Sequence, residues 1–213
     1  MDWVALVFYL FVGFLFLFQV VFRVARRWLK FPTPAFLTQV IDNPIRRRFI
    51  QSPDTIADRM ELEPGMTVVE VGPGKGSYTF AVARRVAPGT VYACDIQPGV
   101  VERLRERAAR EGVANVDARF EDAYGFSFGE GTVDRVLMIA CLPEIPEPVR
   151  VLRECRRILR PGGLVCLSEL LPDPDYPLRS TERRWAAEAG LEFDAEYGNF
   201  FVYQLHFRKP PQA

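Results

Sequence analysis

The chain has 213 residues, of which 49% are hydrophobic and 25% charged, which is room for one ordinary domain or for one domain with an appendage. That balance is the globular norm and excludes a disordered tail protein, a collagen-like fibre and a multi-pass membrane bundle. A formal net charge of zero argues against a nucleic-acid binder, which would be strongly basic. The sum hides an asymmetry: residues 1–60 hold 8 Lys/Arg against 4 Asp/Glu, and residues 61–213 carry the opposite surplus.

Trp3 to Phe22 is free of charge and holds six of the 17 Phe. As a helix it would be about 30 Å long, the thickness of a bilayer's hydrocarbon core, and apolar all round. A cleaved signal peptide would want a basic start and a small-residue cleavage site. Here Asp2 precedes the run and Arg23, Arg26, Arg27, Trp28 and Lys30 follow it. Cations on that side orient a span with its C-terminal end in the cytoplasm. Residues 1–30 therefore read as a single-pass anchor with the N-terminus outside; the alternative is a buried helix of a soluble core. Pro32 and Pro34 then break the helix, and residues 31–60 form a juxtamembrane segment with the triplet Arg46-Arg47-Arg48. Those arginines can face anionic lipid at about 1 kcal/mol each or simply solvate a helix face. The segment is placed to act as a lid or a docking surface.

Residues 61–213 alternate strand and helix as in a βαβ series. Strands are predicted at Thr67–Val71, Thr90–Cys94, Val116–Phe120, Val133–Ile139 and Leu164–Glu169, with helices at Ser77–Val86, Pro98–Glu111, Pro146–Leu159 and Arg179–Ala189. Leu191–Tyr197 and Phe200–Phe207 read as a hairpin about Gly198-Asn199. The expected fold is α/β: one doubly wound seven-stranded sheet, parallel at first, with an antiparallel pair to finish.

The strongest local signal is VVEVGPGKGSYT, Val68 to Thr79, where a strand runs into a helix. Gly72, Gly74 and Gly76 let the backbone turn tightly and approach a ligand closely, and the helix start favours a carboxylate or phosphate. The nicotinamide fingerprint G-x-G-x-x-G places its third glycine one residue later. Glu70, two positions before the first glycine, would be unwelcome beside a pyrophosphate and suits a cationic amine. Asp95 ends the second strand, placed to accept from two ribose hydroxyls. Asp122 follows the third, placed to accept from an adenine amino group. Each acid alone could equally be a helix cap; all three sit at carboxyl ends of parallel strands, where open α/β sheets bind ligands.

Glu70–Gly76 (E-V-G-P-G-K-G), Asp95, Asp122-Ala123, VDRVLMIACLPEIPE and RECRRILRPGGLVCLSE together resemble the class I S-adenosylmethionine-dependent methyltransferases over roughly residues 50 to 209. The resemblance implies a Rossmann-like seven-stranded sheet with a reversed last strand, S-adenosyl-L-methionine as methyl donor and S-adenosyl-L-homocysteine as product. It assigns Glu70, Gly72, Pro73, Gly74 and Gly76 to the methionine moiety, Asp95 to the ribose, Ile96 to the adenine face, and Asp122 and Ala123 to the adenine edge. Many relatives that methylate quinones, sterols or small molecules carry a histidine pair after the fourth strand, where this chain has Cys141-Leu142-Pro143-Glu144. There is no N-P-P-Y motif, which counts against methylation of bases.

Methyl transfer from a sulfonium is an in-line displacement dominated by positioning, worth about 7–11 kcal/mol, and needs a base only for a poorly acidic nucleophile. The one histidine, His206, lies on no motif and reads as structural; Cys94, Cys141, Cys155 and Cys166 show no C-x-x-C spacing, and no metal site is expected. Glu144, Tyr124 and Glu169 are the base candidates, with Glu144 equally placed as a cap before Pro146. Cys141, Tyr176, Arg179, Tyr197 and Asn199 fall in the loops where the family builds its acceptor pocket. An anchored enzyme gains from two-dimensional confinement with its substrate, so a lipid, isoprenoid or quinone head group is the leading acceptor and membrane lipids the partner. A lipophilic small thiol or amine, a membrane protein's side chain, and a non-catalytic nucleotide-binding membrane adaptor are the alternatives.

Overall fold

A computed structural model describes residues 3–28, 43–171, 173 and 175–211, with side chains described along only part of residues 3–28. Helix α1 (Trp3–Trp28) takes in the whole charge-free run. Among the described residues, which include the side chains of only part of α1, no helix is long and apolar enough to cross a membrane. The stretch from residue 29 to residue 42, with Pro32 and Pro34, lies outside the described residues.

The domain opens with a π-helical turn (Arg46–Ile50) and α2 (Pro53–Arg59). Ser52 starts α2 because its Oγ accepts from the Thr55 N–H (3.3 Å) and Pro53 needs no N–H partner at the first position. Then follow β1 (Val68–Val71), α3 (Ser77–Val86), β2 (Val91–Asp95), α4 (Pro98–Glu111), β3 (Val116–Phe120), β4 (Val133–Ile139), a 3-10 turn (Leu142–Glu144), α5 (Pro148–Ile158), β5 (Leu159–Leu170), α6 (Arg179–Glu188), β6 (Glu192–Gly198) and β7 (Val202–Arg208). Helix α4 ends where Gly112 turns left-handed at φ 66° and Val113 N–H reaches back to Ala108 O (2.9 Å).

The strands form one sheet in the order β3-β2-β1-β4-β5-β7-β6. The first five are parallel, and β7 runs antiparallel to both β5 and β6. Both faces are covered, so alternate residues of a central strand enter different cores: Val136 and Met138 of β4 join α5, while Leu137 and Ile139 join α2 and α3. That is why β1 and β4 read as near-continuous apolar runs. The chain reverses order between β1 and β4, which leaves a crevice beyond the carboxyl ends of β1, β2 and β4.

One expectation is corrected. Strand β5 begins at Leu159, not Leu164: Leu159 pairs with Val133, the register then shifts, and Gly162 and Gly163 exchange backbone bonds with Lys209 (2.9 Å each). Pro161-Gly162-Gly163 is a bulge within the strand instead of the turn before it. Before residue 61, Ile56 and Ala57 of α2 and Met60 just after it are also buried in the core beside Tyr78 and Val82. Arg85 of α3 ties the same helix down through Asp58 (2.6 Å) and Asp54 (3.1 Å).

Candidate active site

A cavity of about 380 Å³ occupies the crevice, a size typical of small-molecule sites. Strand β1 delivers Glu70, buried, its Oε2 accepting from Thr79 Oγ1 (2.5 Å). The chain then turns at Gly72 (φ 67°) and Gly74 (φ 55°). A Cβ on Gly72 would run into Cys141 Sγ, so glycine lets the β1 turn and the loop after β4 approach closely. Gly76 lies outside the cavity lining. It begins α3 at φ 80°, and a Cβ there would meet Leu104 Cδ2 at 2.5 Å; its place is helix packing.

Asp95, the last residue of β2, is buried, and its Oδ1 accepts from Gln97 N–H (2.9 Å). Burial raises its pKa to about 6, partly offset by the Gln97 N–H and the Arg103 charge. Ile96 presents an exposed apolar side chain to the same space. Asp122 Oδ1 accepts from Tyr124 N–H (2.9 Å), which braces the turn holding Ala123 against the cavity. Tyr124 also lines it, its hydroxyl accepting from Glu147 N–H (3.1 Å) and its ring lying under Arg150. Cys141 follows Ala140, which is held at φ 50°, and Glu144 closes the 3-10 turn beside it. Burial and then the carboxylates of Glu144, Asp95, Glu169 and Glu70 push the Cys141 thiol well above its ordinary pKa, so it stands there as a neutral thiol.

Four residues expected to touch an acceptor do not line the cavity. Tyr176 donates to Phe200 O (2.7 Å); Arg179 pairs with Glu196 (3.0 Å) and donates to the Asn199 carbonyl. Asn199 Oδ1 accepts from Phe201 N–H (2.9 Å), and the Tyr197 ring stacks edge-on against His206. All four build the β6–β7 hairpin and its support. Glu169 is also withdrawn as a base. It does not line the cavity and is buried at the end of β5, where burial and the neighbouring Glu182 carboxyl hold its pKa well above the ordinary range. His206 is buried and within 2.8 Å of Gln204 Nε2, its pKa lowered to about 4 by burial, in line with a structural role.

Sequence reasoning missed Arg46 as a site residue. It is buried and lines the cavity, with Nε and Nη2 donating to Gln51 Oε1 (2.9 and 2.6 Å). Gln51 is fixed in turn by Nε2 donating to Ser168 Oγ (2.7 Å) and by contact with the Tyr78 hydroxyl (3.1 Å). Nothing in the triplet Arg46-Arg47-Arg48 distinguishes its first member; only the S-P-D helix start at Ser52 hints that the chain just before it is fixed. Asp173, Lys75 and Ile145 complete the surroundings.

The charged lining is thus Glu70, Asp95, Glu121, Asp122, Glu144 and Asp173 against Arg46 and Lys75. An acidic, glycine-cradled cavity with a buried carboxylate at each of two strand ends fits S-adenosylmethionine, which bears a sulfonium, an ammonium, a ribose diol and one carboxylate. Comparison with known proteins agrees. Residues 69–167 match the family model described as a methyltransferase domain. The chain is 31% identical over 117 residues to an arsenite methyltransferase of Halobacterium salinarum, covering 54% of this chain and 30% of that protein. It is 33% identical over 133 residues to a ubiquinone biosynthesis O-methyltransferase of Xanthomonas campestris pv. campestris, covering 62% and 52%. The chain thus spans about half or less of the length of these curated relatives. Among solved structures, a SAM-dependent methyltransferase from Aquifex aeolicus shares the fold with a TM-score of 0.76 at 22% identity, over 82% of this chain and 98% of that one. Sheet order, cavity chemistry and family match converge on one statement: residues 69–167 of this chain lie in a methyltransferase domain of the S-adenosylmethionine-dependent kind.

Proposed function

We propose that the protein transfers a methyl group to a lipophilic acceptor, a lipid, isoprenoid or quinone head group, at the cytoplasmic surface of a membrane. The observation that carries the reading is helix α1: 26 residues, charge-free from Trp3 to Phe22 and followed by Arg23, Arg26 and Arg27. At about 1.5 Å per residue it is longer than the roughly 30 Å of hydrocarbon core, and it precedes a domain whose cavity faces the juxtamembrane residue Arg46. In support, a relative 33% identical over 133 residues is named for ubiquinone biosynthesis.

S-adenosylmethionine, when bound, supplies an electrophilic methyl whose departure leaves a neutral thioether. Glu70 and Asp95 bind and orient the donor, and the Gly72–Gly74 turn admits it. Ile139 and Ile145 give the part of the cavity near Cys141 and Glu144 an apolar lining. Glu144, at the cavity wall, is placed to take the proton that an acceptor hydroxyl loses as its oxygen gains the methyl; Cys141, a neutral thiol, borders the same wall.

The test is transfer of a labelled methyl group on total membranes supplied with the full chain. Label is expected in the organic extract. Label in the protein pellet would replace this acceptor with a membrane protein's side chain, and label in neither fraction would overturn the membrane-acceptor reading.

A further inference from the structure

Exposed apolar side chains are distributed unevenly over the domain. Among the described residues outside α1, the exposed large apolar side chains other than Phe193 lie either in segments at the carboxyl edge of the sheet, the edge of the cavity, or in residues 45–50, which Gln51–Ser168 and Arg47–Ser77 hydrogen bonds hold against that edge. Ile45, Phe49 and Ile50 flank Arg46, which Gln51 and Ser168 fix above the end of β5. Leu178 starts α6, and Phe200 and Phe201 form the tip between β6 and β7. Phe49 is 79% exposed, Phe200 61% and Phe201 63%. The backbone carrying Phe200 and Phe201 is hydrogen-bonded in place: Leu171 N–H donates to Phe201 O (2.7 Å), and Asn199 Oδ1 accepts from Phe201 N–H (2.9 Å). Burying none of these rings on folding forfeits apolar area that a soluble domain ordinarily covers.

We infer that this edge is a membrane-docking surface, with Phe49, Phe200 and Phe201 entering the acyl boundary of a phospholipid bilayer and the cavity opening onto the lipid. Charge favours lipid over a second protein. Arg47 and Arg48 stand in the same turn as Phe49, and Arg48 is exposed with no carboxylate partner among the described residues. Aromatic side chains beside arginines are what an interfacial segment requires. Continuity favours it too, since residues 29–42, fully extended, span at most about 50 Å between Asn43 and the end of α1. The inference rests on the membrane reading above and deepens it: α1 would hold the protein to the bilayer, whereas this edge would orient it.

Benzophenone photocrosslinking to lipid tests both separately. The full chain is reconstituted in phosphatidylcholine vesicles with and without phosphatidylserine, carrying the photoreactive amino acid in place of Phe49, Phe200 or Phe201. Phe193, at the opposite end of β6, serves as the control for non-specific labelling, and Leu10 in α1 as the anchor probe. Calorimetric binding of S-adenosylmethionine confirms that each variant is folded. Lipid adducts are expected at 49, 200 and 201, stronger with phosphatidylserine, and at background level at 193. Adducts at 10 with none at the three rim positions would overturn docking while leaving the anchor standing. Adducts at neither would overturn the membrane reading itself. Equal labelling at 193 and 200, or rim crosslinks between two copies of the chain, would also overturn docking.

Discussion

At the scale of single residues the site depends on carboxylates kept in unfavourable surroundings. Asp95 is buried with its pKa raised to about 6, and only its ionised form can accept from both hydroxyls of a ribose. Affinity for S-adenosylmethionine should therefore be full at pH 7 and fall as pH drops through 6, reaching about tenfold weaker near pH 5. Isothermal calorimetry across that range reads it; Asp95→Asn should bind weakly at every pH and lose the dependence. A pH-independent affinity in the unaltered chain would remove Asp95 from the ribose site. Gly72 offers a second test. Gly72→Ala meets Cys141 Sγ and must also adopt φ 67°, a conformation costing about 1–2 kcal/mol for a residue with a Cβ. Adding Cys141→Ala should recover the steric part, leaving about 1–2 kcal/mol of lost stability in urea unfolding. Equal stability of the single and double variants would show that the loop after β4 yields easily. These positions were legible in the sequence because a strand, a glycine turn and an acid at strand ends are local patterns. Arg46 was not, because three consecutive arginines are chemically identical until the fold buries one of them. Tyr197 and Asn199 misled for a related reason. An aromatic and an asparagine at a hairpin tip serve turn chemistry with the same residue types that would serve a ligand.

At the scale of elements, β5, α6 and β7 enclose an acid pair. Tyr203 Oη donates a hydrogen bond to Pro177 O (3.1 Å), and both Glu182 oxygens and Glu169 Oε1 are buried without a hydrogen-bond partner among the described residues. Burial raises Glu182 from 4.5 to about 8, so the folded chain retains protons that the unfolded chain releases. The stability this represents is complete below pH 4.5 and is lost as pH rises towards 8. Each such group contributes a slope of about 1.4 kcal/mol per pH unit. Chemical unfolding between pH 7.5 and 8, above most of the titration of Asp95 and of an unfolded histidine, should show stability falling with pH. Glu182→Gln, neutral at all pH, should flatten that fall by one group's worth. An unchanged slope would show that Glu182 is ionised in the folded state. Element boundaries repeat the lesson of the arginines. Strands β1 and β4 were legible to within a residue since both faces are buried, whereas the start of β5 was hidden by a Pro-Gly-Gly that elsewhere ends a helix. Helix α2 lay in what looked like a linker. It belongs to the core through Ile56, Ala57 and Met60; Met60→Ala should cost about 2–5 kcal/mol of unfolding free energy, whereas a free linker would lose nothing.

At the scale of the whole molecule, the opposite charges of the two halves cancel in the sum and differ in placement. The basic surplus lies in the segment containing α1 and Arg46-Arg47-Arg48, and the acidic surplus lies in the domain whose cavity is lined by carboxylates. An acidic body behind a basic edge turns towards an anionic leaflet by attraction at one end and repulsion at the other. Both forces are screened over about 10 Å at 0.1 M salt. If α1 is the anchor proposed above, confinement changes the kinetics. With α1 in place, the rate should follow the mole fraction of a lipophilic acceptor in the bilayer and stay constant when inert lipid and acceptor are raised together. Removing residues 1–42 leaves Arg46, α2 and every described cavity residue in the chain. Affinity for S-adenosylmethionine should then be unchanged, while turnover on embedded acceptor should fall and come to depend on bulk vesicle concentration. High salt should weaken the shortened chain further and affect the full chain little, because only the former relies on the basic edge to reach the surface. If shortened and full chains share one dependence on bulk concentration, α1 does not confine the enzyme with its substrate, and the acceptor must be sought in water.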